Sequence, residues 1–402
     1  MLERLCGLRE VPFPNLSARI LSLLLPCVPP ASHVFVKGMY LHGPEGNVIE
    51  VVRSIVALTN LSVVWPGAPS PEYLEAMGIP TGRVRRLASH RSVAAIWAFL
   101  RARAVFCTIG LYGNPVPAPL KPIVLVWHGD GFKDGLYMPR RTLRGPCATY
   151  LVSASQVTGK IKAKLARLPM SRILLVGNPR VRQMFSPVSP SQLVALGIDP
   201  SRPFVLWMPT FRIFRDGWIR DTADAQSDRA LTESAVSVFS RLVCAGIGVV
   251  TKPHPGDGTS REVPGAVTVD NAALERQRIP LYALLGASAG LISDYSSVWL
   301  DYLALDRPIA FLVHDIHAYS QGRGLLRSDL TGQYPGETLD SPEGVERFIA
   351  DVRTGGTLGA ERRATFRETI GFVSHGSSAE DVVRAALDPH ELRFDRSGDE
   401  AR

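Results

Sequence analysis

Short apolar runs alternate with stretches of helical periodicity along most of the chain. The runs at residues 62–65, 104–108, 123–127, 150–153 and 173–176 are continuous rather than alternating, as strands buried on both faces require, and 84–87, with Arg85 and Arg86 between Val84 and Leu87, reads as a further strand. Between several of them, residues 48–58, 72–77, 93–102 and 157–168 repeat apolar positions at helical spacing. Segment 186–203 is rich in Pro and Ser around a helix-like SQLVALG run, which predicts a hinge. A second alternation follows, with strands at 204–208, 247–251, 266–269, 290–292 and 309–313 and helices at 232–245, 280–285 and from 296 onward. The polar segment 212–229 lacks periodicity and predicts a long loop. Three helices at 342–352, 360–369 and 379–387 precede a polar tail, 395–402, expected to fray. The pattern predicts an α/β chain of two Rossmann-like, doubly wound domains facing a central cleft: 1–187, a hinge at 188–202, 203–370, and a C-terminal helix and tail at 371–402. Ligands of such sheets sit at the carboxyl ends of the strands.

Length and composition agree with two ordinary globular domains: 402 residues, 46% hydrophobic and 20% charged. The net charge of +8, with a pI near 9.4, favours an anionic partner such as a membrane surface or a phosphate polymer. No arginine-rich helix, aromatic RNP pattern or zinc-finger spacing accompanies it, so nucleic acid ranks last. Cys6, Cys27, Cys107, Cys147 and Cys244 are scattered and never form CxxC, which fits a reducing, cytoplasmic setting. The apolar stretch 16–28 is interrupted by Arg19 and Pro26 and is too short to span a bilayer. Arg4, Arg9 and Arg19 alternate with Leu2, Leu5, Leu8, Leu21 and Leu24. That stretch is either a helix packed on the first domain or an amphipathic helix on the cytoplasmic face of a membrane.

Candidate chemistry clusters where polar residues follow apolar strands. VWHGDGFK places His128, a base suited to neutral pH, beside Gly129 and Lys133. VGNPR presents Arg180, MPTFR presents Thr210 and Arg212, and TKPHP holds Lys252 and His254 between prolines. LISDYSSVWLDYLALDRP predicts a buried strand, a polar turn and a helix opening at Ser296 and Ser297, with Asp301 one turn on. Amides and hydroxyls at a helix start suit an anion, although such serines also serve as ordinary caps. Arg323 lies between two glycines. This concentration of cations and donors in the second half suits a diphosphate. There is no GxxxxGK[ST] loop, GxGxxG or DxD clamp. VHDIH at 313–317 is a weak metal pattern without a further ligand, and no metal or cofactor is expected.

WHGDGFK, GNPR, MPTFR, KPHP, ISDYSSVWLDYLALDRPIAF and HDIHAYSQGRG, in this order, resemble the CDP-glycerol glycerophosphotransferase family, which builds teichoic acid and related capsular polymers. The resemblance implies a GT-B fold with the acceptor on the N-terminal side and the CDP-alcohol on the C-terminal side. It implies His128 as catalytic base, with Gly129 and Lys133 toward the acceptor. His254 and Arg212 would hold the donor pyrophosphate, His254 also serving the chemistry, and Lys252, Ser296, Ser297, Asp301 and Arg323 would complete the donor site. The implied substrates are CDP-glycerol or CDP-ribitol and a polyol-phosphate or glycan acceptor, lipid-linked or not. Asp130 and Gly131 stand where the family often has Thr–Pro, a departure that bears on acceptor preference. The region before Val34 matches no membrane-targeting domain of the family. A GT-B glycosyltransferase acting on a nucleotide sugar, or a non-catalytic polymer-binding protein of the same fold, is the alternative.

Overall fold

The computed structural model describes residues 16–39, 45–132, 148–210, 225–253, 263–322, 333–373 and 376–387. Two parallel sheets organise them. The first contains β1 (His33–Lys37), β2 (Ser62–Pro66), β3 (Val84–Leu87), β4 (Val105–Cys107), β5 (Ile123–Leu125), β6 (Tyr150–Ser153) and β7 (Ile173–Leu175), in the order β3-β2-β1-β4-β5-β6-β7. The second contains β8 (Phe204–Trp207), β9 (Gly248–Thr251), β10 (Ala266–Thr268), β11 (Gly290–Ser293), β12 (Ile309–Phe311) and β13 (Glu337–Thr338), in the order β10-β9-β8-β11-β12-β13. Every pairing within the two sheets is parallel. Strand order reverses between β1 and β4 in one sheet and between β8 and β11 in the other. At such a reversal the flanking helices leave toward opposite faces, opening a crevice beyond the strand ends.

Two compact units carry the sheets. One comprises the described residues of Met1–His128, Met138–Arg182 and Val373–Arg402, the other those of Gly129–Tyr137 and Gln183–Phe372. In the first, the helix Gly46–Leu58 buries Val48, Val51, Val52 and Ile55 against one face of the sheet, where Val382 and Val383 of the C-terminal helix Ser378–Ala386 join the same core. The opposite face is covered by the helices Val93–Leu100 and Leu16–Leu24, the latter through Leu21, with Leu25 just beyond. The N-terminal helix is therefore packed on this unit, one of its two expected placements. In the second unit, Val238, Phe239 and Leu242 of the helix Ala225–Cys244 and Phe348, Ile349 and Val352 of the helix Pro342–Arg353 pack on β8, β9, β11 and β12.

Two elements depart from the sequence expectation. β1, at the centre of its sheet, escapes a reading by apolar runs because Val34, Phe35 and Val36 stand between His33 and the buried Lys37. The helix expected at 232–245 already begins at Ala225, inside the expected loop, because Ala, Gln, Arg and Leu favour helix without forming an apolar stripe. The helix-like run inside segment 188–202 is the helix Pro190–Ala195, started by a capping box between Ser189 and Gln192. The segment packs within the second unit through the buried Leu193, Leu196 and Ile198. The tail 395–402 lies outside the described residues.

Candidate functional site

In the second unit the site begins at the strand-order reversal. β8 runs into Met208–Pro209–Thr210 and β11 into Asp294, and both Thr210 and Asp294 are buried. The Asp294 carboxylate accepts the Thr210 amide at 2.8 Å and 3.0 Å, the Thr210 hydroxyl at 2.8 Å and the Ser296 amide at 2.9 Å. One carboxylate thus spans the reversal and fixes both loops, and such charge-assisted bonds are the strong ones. Asp294 was read from the sequence only as part of a polar turn. The signal for its role was its place one residue beyond a wholly buried strand.

Lys252 follows β9, the neighbour of β8, and its amide donates to the Trp207 carbonyl at 3.0 Å. Its side chain is buried, with Nζ donating to the Pro253 carbonyl at 2.9 Å. Burial pulls its pKa down to about 8, against a smaller upward pull from Asp270. Lys252, Thr210 and Asp294 therefore occupy the carboxyl ends of three adjacent strands.

The helix after β11 is Val298–Tyr302, only five residues before a 3₁₀ turn. Its dipole is correspondingly small, and Asp294 already occupies the Ser296 amide, so the expected anion site at this helix start has less donor capacity than the sequence implied. The serines are half-buried, and the Ser297 hydroxyl makes no capping bond, which leaves simple capping without support. Asp301 is wholly buried and accepts the Tyr282 hydroxyl at 2.6 Å, anchoring this helix to the helix Leu281–Ala287. Beneath, Trp299 packs edge-on against Phe311, and Tyr334 stacks on Phe311 at 4.2 Å. Burial, and secondarily the Asp294 charge, pushes the Tyr334 hydroxyl's pKa up.

The His128 loop joins the two halves of the sequence reading. The chain passes from the first unit to the second between His128 and Gly129. Within the second unit, Phe132 packs on Trp299 with ring centroids 5.9 Å apart, and a Cβ at Gly131 would lie 3.4 Å from the Ser297 Cβ. Gly131, three residues after His128, thus lies against Ser297 within the second unit.

On the first unit's side, β5 ends at Leu125, two residues sooner than expected, because Trp127 turns into the left-handed region with φ 56° and Gly129 follows with φ 131°. A left-handed non-glycine residue costs roughly 1–2 kcal/mol. His128 is exposed, and its ring stacks on Trp127 at a centroid distance of 4.9 Å. At the β1–β4 reversal, the half-buried Glu45 accepts through its carboxylate the Met39 amide and the Thr108 hydroxyl, both at 2.6 Å. Burial raises its pKa, against the lowering pull of those two bonds and of Arg180 and Lys37. Each sheet therefore has a carboxylate across its reversal, the half-buried Glu45 in one and the buried Asp294 in the other. Glu45 carries no motif and was not anticipated.

Lys133, Arg212, His254 and Arg323 lie outside the described residues. Of the VHDIH pattern, Asp315 accepts the Tyr295 hydroxyl at 2.9 Å. Among the described residues, no three His, Cys, Asp or Glu side chains gather as metal ligands.

Two parallel, doubly wound sheets with polar loops at their strand ends define a fold of the GT-B class. Residues 81–388 match the model of the CDP-Glycerol:Poly(glycerophosphate) glycerophosphotransferase family, and the chain belongs to that family. It is 41% identical over 131 residues to the teichoic acid glycerol-phosphate primase of Bacillus spizizenii, a stretch covering 32% of this chain and 30% of that relative. The wall teichoic acid polymerase TagF superposes with a TM-score of 0.67 at 16% identity, covering 93% of both chains. The UDP-GlcNAc 2-epimerase of Neisseria meningitidis superposes at 0.50 with 10% identity, covering 87% of this chain and 98% of that one.

Proposed function

We propose that the protein transfers glycerol phosphate, or a related polyol phosphate, from a CDP-alcohol to a hydroxyl of a cell-wall or capsular acceptor, releasing CMP. The observation that carries this reading is the loop Gly129–Phe132, which leaves His128 and packs on the Ser297 helix. This loop follows directly in the chain on the residue that family resemblance makes the base, and within the second unit it packs beside a serine that resemblance assigns to the donor. A TagF structure soaked with CDPG, a name that fits CDP-glycerol, lends the donor class support.

In this reading the acceptor oxygen attacks the β-phosphorus of the CDP-alcohol, the bond from that phosphorus to the bridging oxygen breaks, and CMP departs. His128 takes the acceptor proton, a contribution on the order of a hundred- to ten-thousand-fold. Lys252, Ser296 and Ser297, with Arg212, His254 and Arg323, offset the charge growing on the leaving group, and positioning supplies the rest. The test incubates purified protein with a panel of CDP-alcohols and nucleotide sugars and identifies the nucleotide released. CMP that disappears in His128→Ala supports the proposal. UDP or GDP release, or CMP release undiminished in that variant, refutes it.

The same reading includes peripheral attachment to the cytoplasmic face of a membrane, where a lipid-linked acceptor would be met. Among the described residues no helix is long and apolar enough to cross a bilayer. Its support is the outer side of the N-terminal helix, where Leu16, Ile20 and Leu23 are exposed, with the exposed Val116 tied to that helix by its amide on the Ser22 hydroxyl. Co-flotation with anionic vesicles that is lost in a Leu16→Ser, Leu23→Ser double variant is the expected result, and flotation unaffected by it refutes attachment through this surface.

A further inference from the structure

Asn47, the second residue of the helix Gly46–Leu58, is wholly buried, yet its side chain does nothing for its own helix. Its Nδ2 donates to the Trp127 carbonyl at 3.0 Å and the Val126 carbonyl at 3.4 Å, and its Oδ1 accepts the Arg180 amide at 3.0 Å. One amide thus joins the carboxyl end of β5 to the Gly–Asn–Pro–Arg turn after β7. A buried amide with donors and acceptor all engaged has one orientation, and it confers that orientation on the backbone it holds.

The backbone so held is strained. Trp127 sits at φ 56° immediately before His128, a conformation that persists only where the surroundings impose it. Its ring is fixed as well, with Lys162 Nζ 6.0 Å from its centroid on an amine that itself donates to the Val152 carbonyl at 2.8 Å. The stack of Trp127 on His128, 27° from coplanar, is what this strain produces at the imidazole.

We infer that Asn47 and Trp127 are positioning residues for the proposed base: Asn47 holds the left-handed turn, and the Trp127 ring sets the plane of the His128 imidazole. The inference rests on the reading of His128 as general base. Misplacing a catalytic group by about an ångström costs on the order of a hundredfold in rate.

The test uses the full chain and whichever CDP-alcohol the wild type turns over. Asn47→Asp keeps size and the acceptor for Arg180 but points a second oxygen at two carbonyls. Trp127→Gly accommodates φ 56° without strain and removes the ring; Trp127→Phe keeps an aromatic face. Expected are a fall in kcat of roughly ten- to a hundredfold for Asn47→Asp and Trp127→Gly, donor KM within about twofold, and recovery of most of kcat in Trp127→Phe. His128→Ala separates the two levels of the argument. If His128→Ala is inactive while folded Asn47→Asp and Trp127→Gly keep wild-type kcat, or lose only donor affinity, the positioning role is overturned and the base stands. If His128→Ala retains turnover, the base and this inference fall together. Should Asn47→Asp not fold, the contrast between Trp127→Gly and Trp127→Phe decides, and equal kcat in the two overturns the inference.

Discussion

Asp294 receives both the amide and the hydroxyl of Thr210, a residue 84 positions earlier in the chain. The pair closes the point where strand order reverses in the second sheet, and it fixes the Ser296 amide in the same stroke. The loops after β8 and β11 are thereby joined in one rim, which is what the proposed diphosphate site at these strand ends would require.

Asp294→Ala leaves the buried Thr210 amide and hydroxyl without their acceptor. A loss of about 3 kcal/mol in unfolding free energy is expected, since bonds to a charged acceptor contribute about 1.5–3 kcal/mol and stranded buried donors add to the cost. Urea denaturation measures it. Donor KM should rise more than tenfold in protein that remains folded, an order-of-magnitude expectation from the loss of rim rigidity.

Lys252 titrates near pH 8 because burial disfavours its charge. Donor affinity should therefore weaken as pH rises through about 8, and Lys252→Gln should lose that dependence in isothermal titration. Stability moves the other way. The unfolded lysine, with its ordinary value of 10.5, binds more protons than the folded one between about 8 and 10.5, so stability rises with pH across that window. Thermal melts of wild type against Lys252→Gln check the sign, the rise being absent in the variant.

Gly131 does not need glycine's conformational range, but it faces Ser297 at contact distance. Alanine should be tolerated, with kcat within a few fold. Leucine or phenylalanine should displace the serine or its own loop and lower kcat/KM by roughly tenfold or more, in line with the cost of small misplacements. Steady-state kinetics of the series measures how closely the loop after His128 bears on the donor side.

Arg363 is a buried cation whose fork reaches Asp306 Oδ1 at 2.9 Å, Asp351 Oδ2 at 3.1 Å and the Asp306 carbonyl at 3.0 Å. Arg363→Leu should cost about 3 kcal/mol by chemical denaturation, because it strands the Asp351 carboxylate, the deeper of the two acids. Burial alone would raise the pKa of Asp306, but the bonds and charges of Arg367 and Arg363 outweigh it and hold the carboxyl below its ordinary value. The stability this contributes is present above pH 3.8 and lost as pH falls below it. The acid limb of the stability profile should be shallower in the variant.

Much of this protein is legible in its sequence alone. Continuous apolar runs such as 123–127 and 290–292 belong in parallel sheets covered on both faces, and the polar clusters after them mark the ends where ligands bind. Those runs and the family resemblance together pointed to the fold and to the class of chemistry. β1 is not among the predicted strands: its apolar core is only Val34, Phe35 and Val36, between His33 and Lys37.

What only the tertiary structure decided is which polar residues meet. Asp294 and Thr210 are partners because β8 and β11 are neighbours, and Asn47 reaches Arg180 across 133 positions because the strand ends of one sheet converge. The left-handed turn at Trp127 has no local sequence cause, for tryptophan does not favour it. Periodicity records how each segment is buried, whereas strand order is fixed by the packing of all segments at once. The motifs therefore announced the loops, and the sheet chose the pairs.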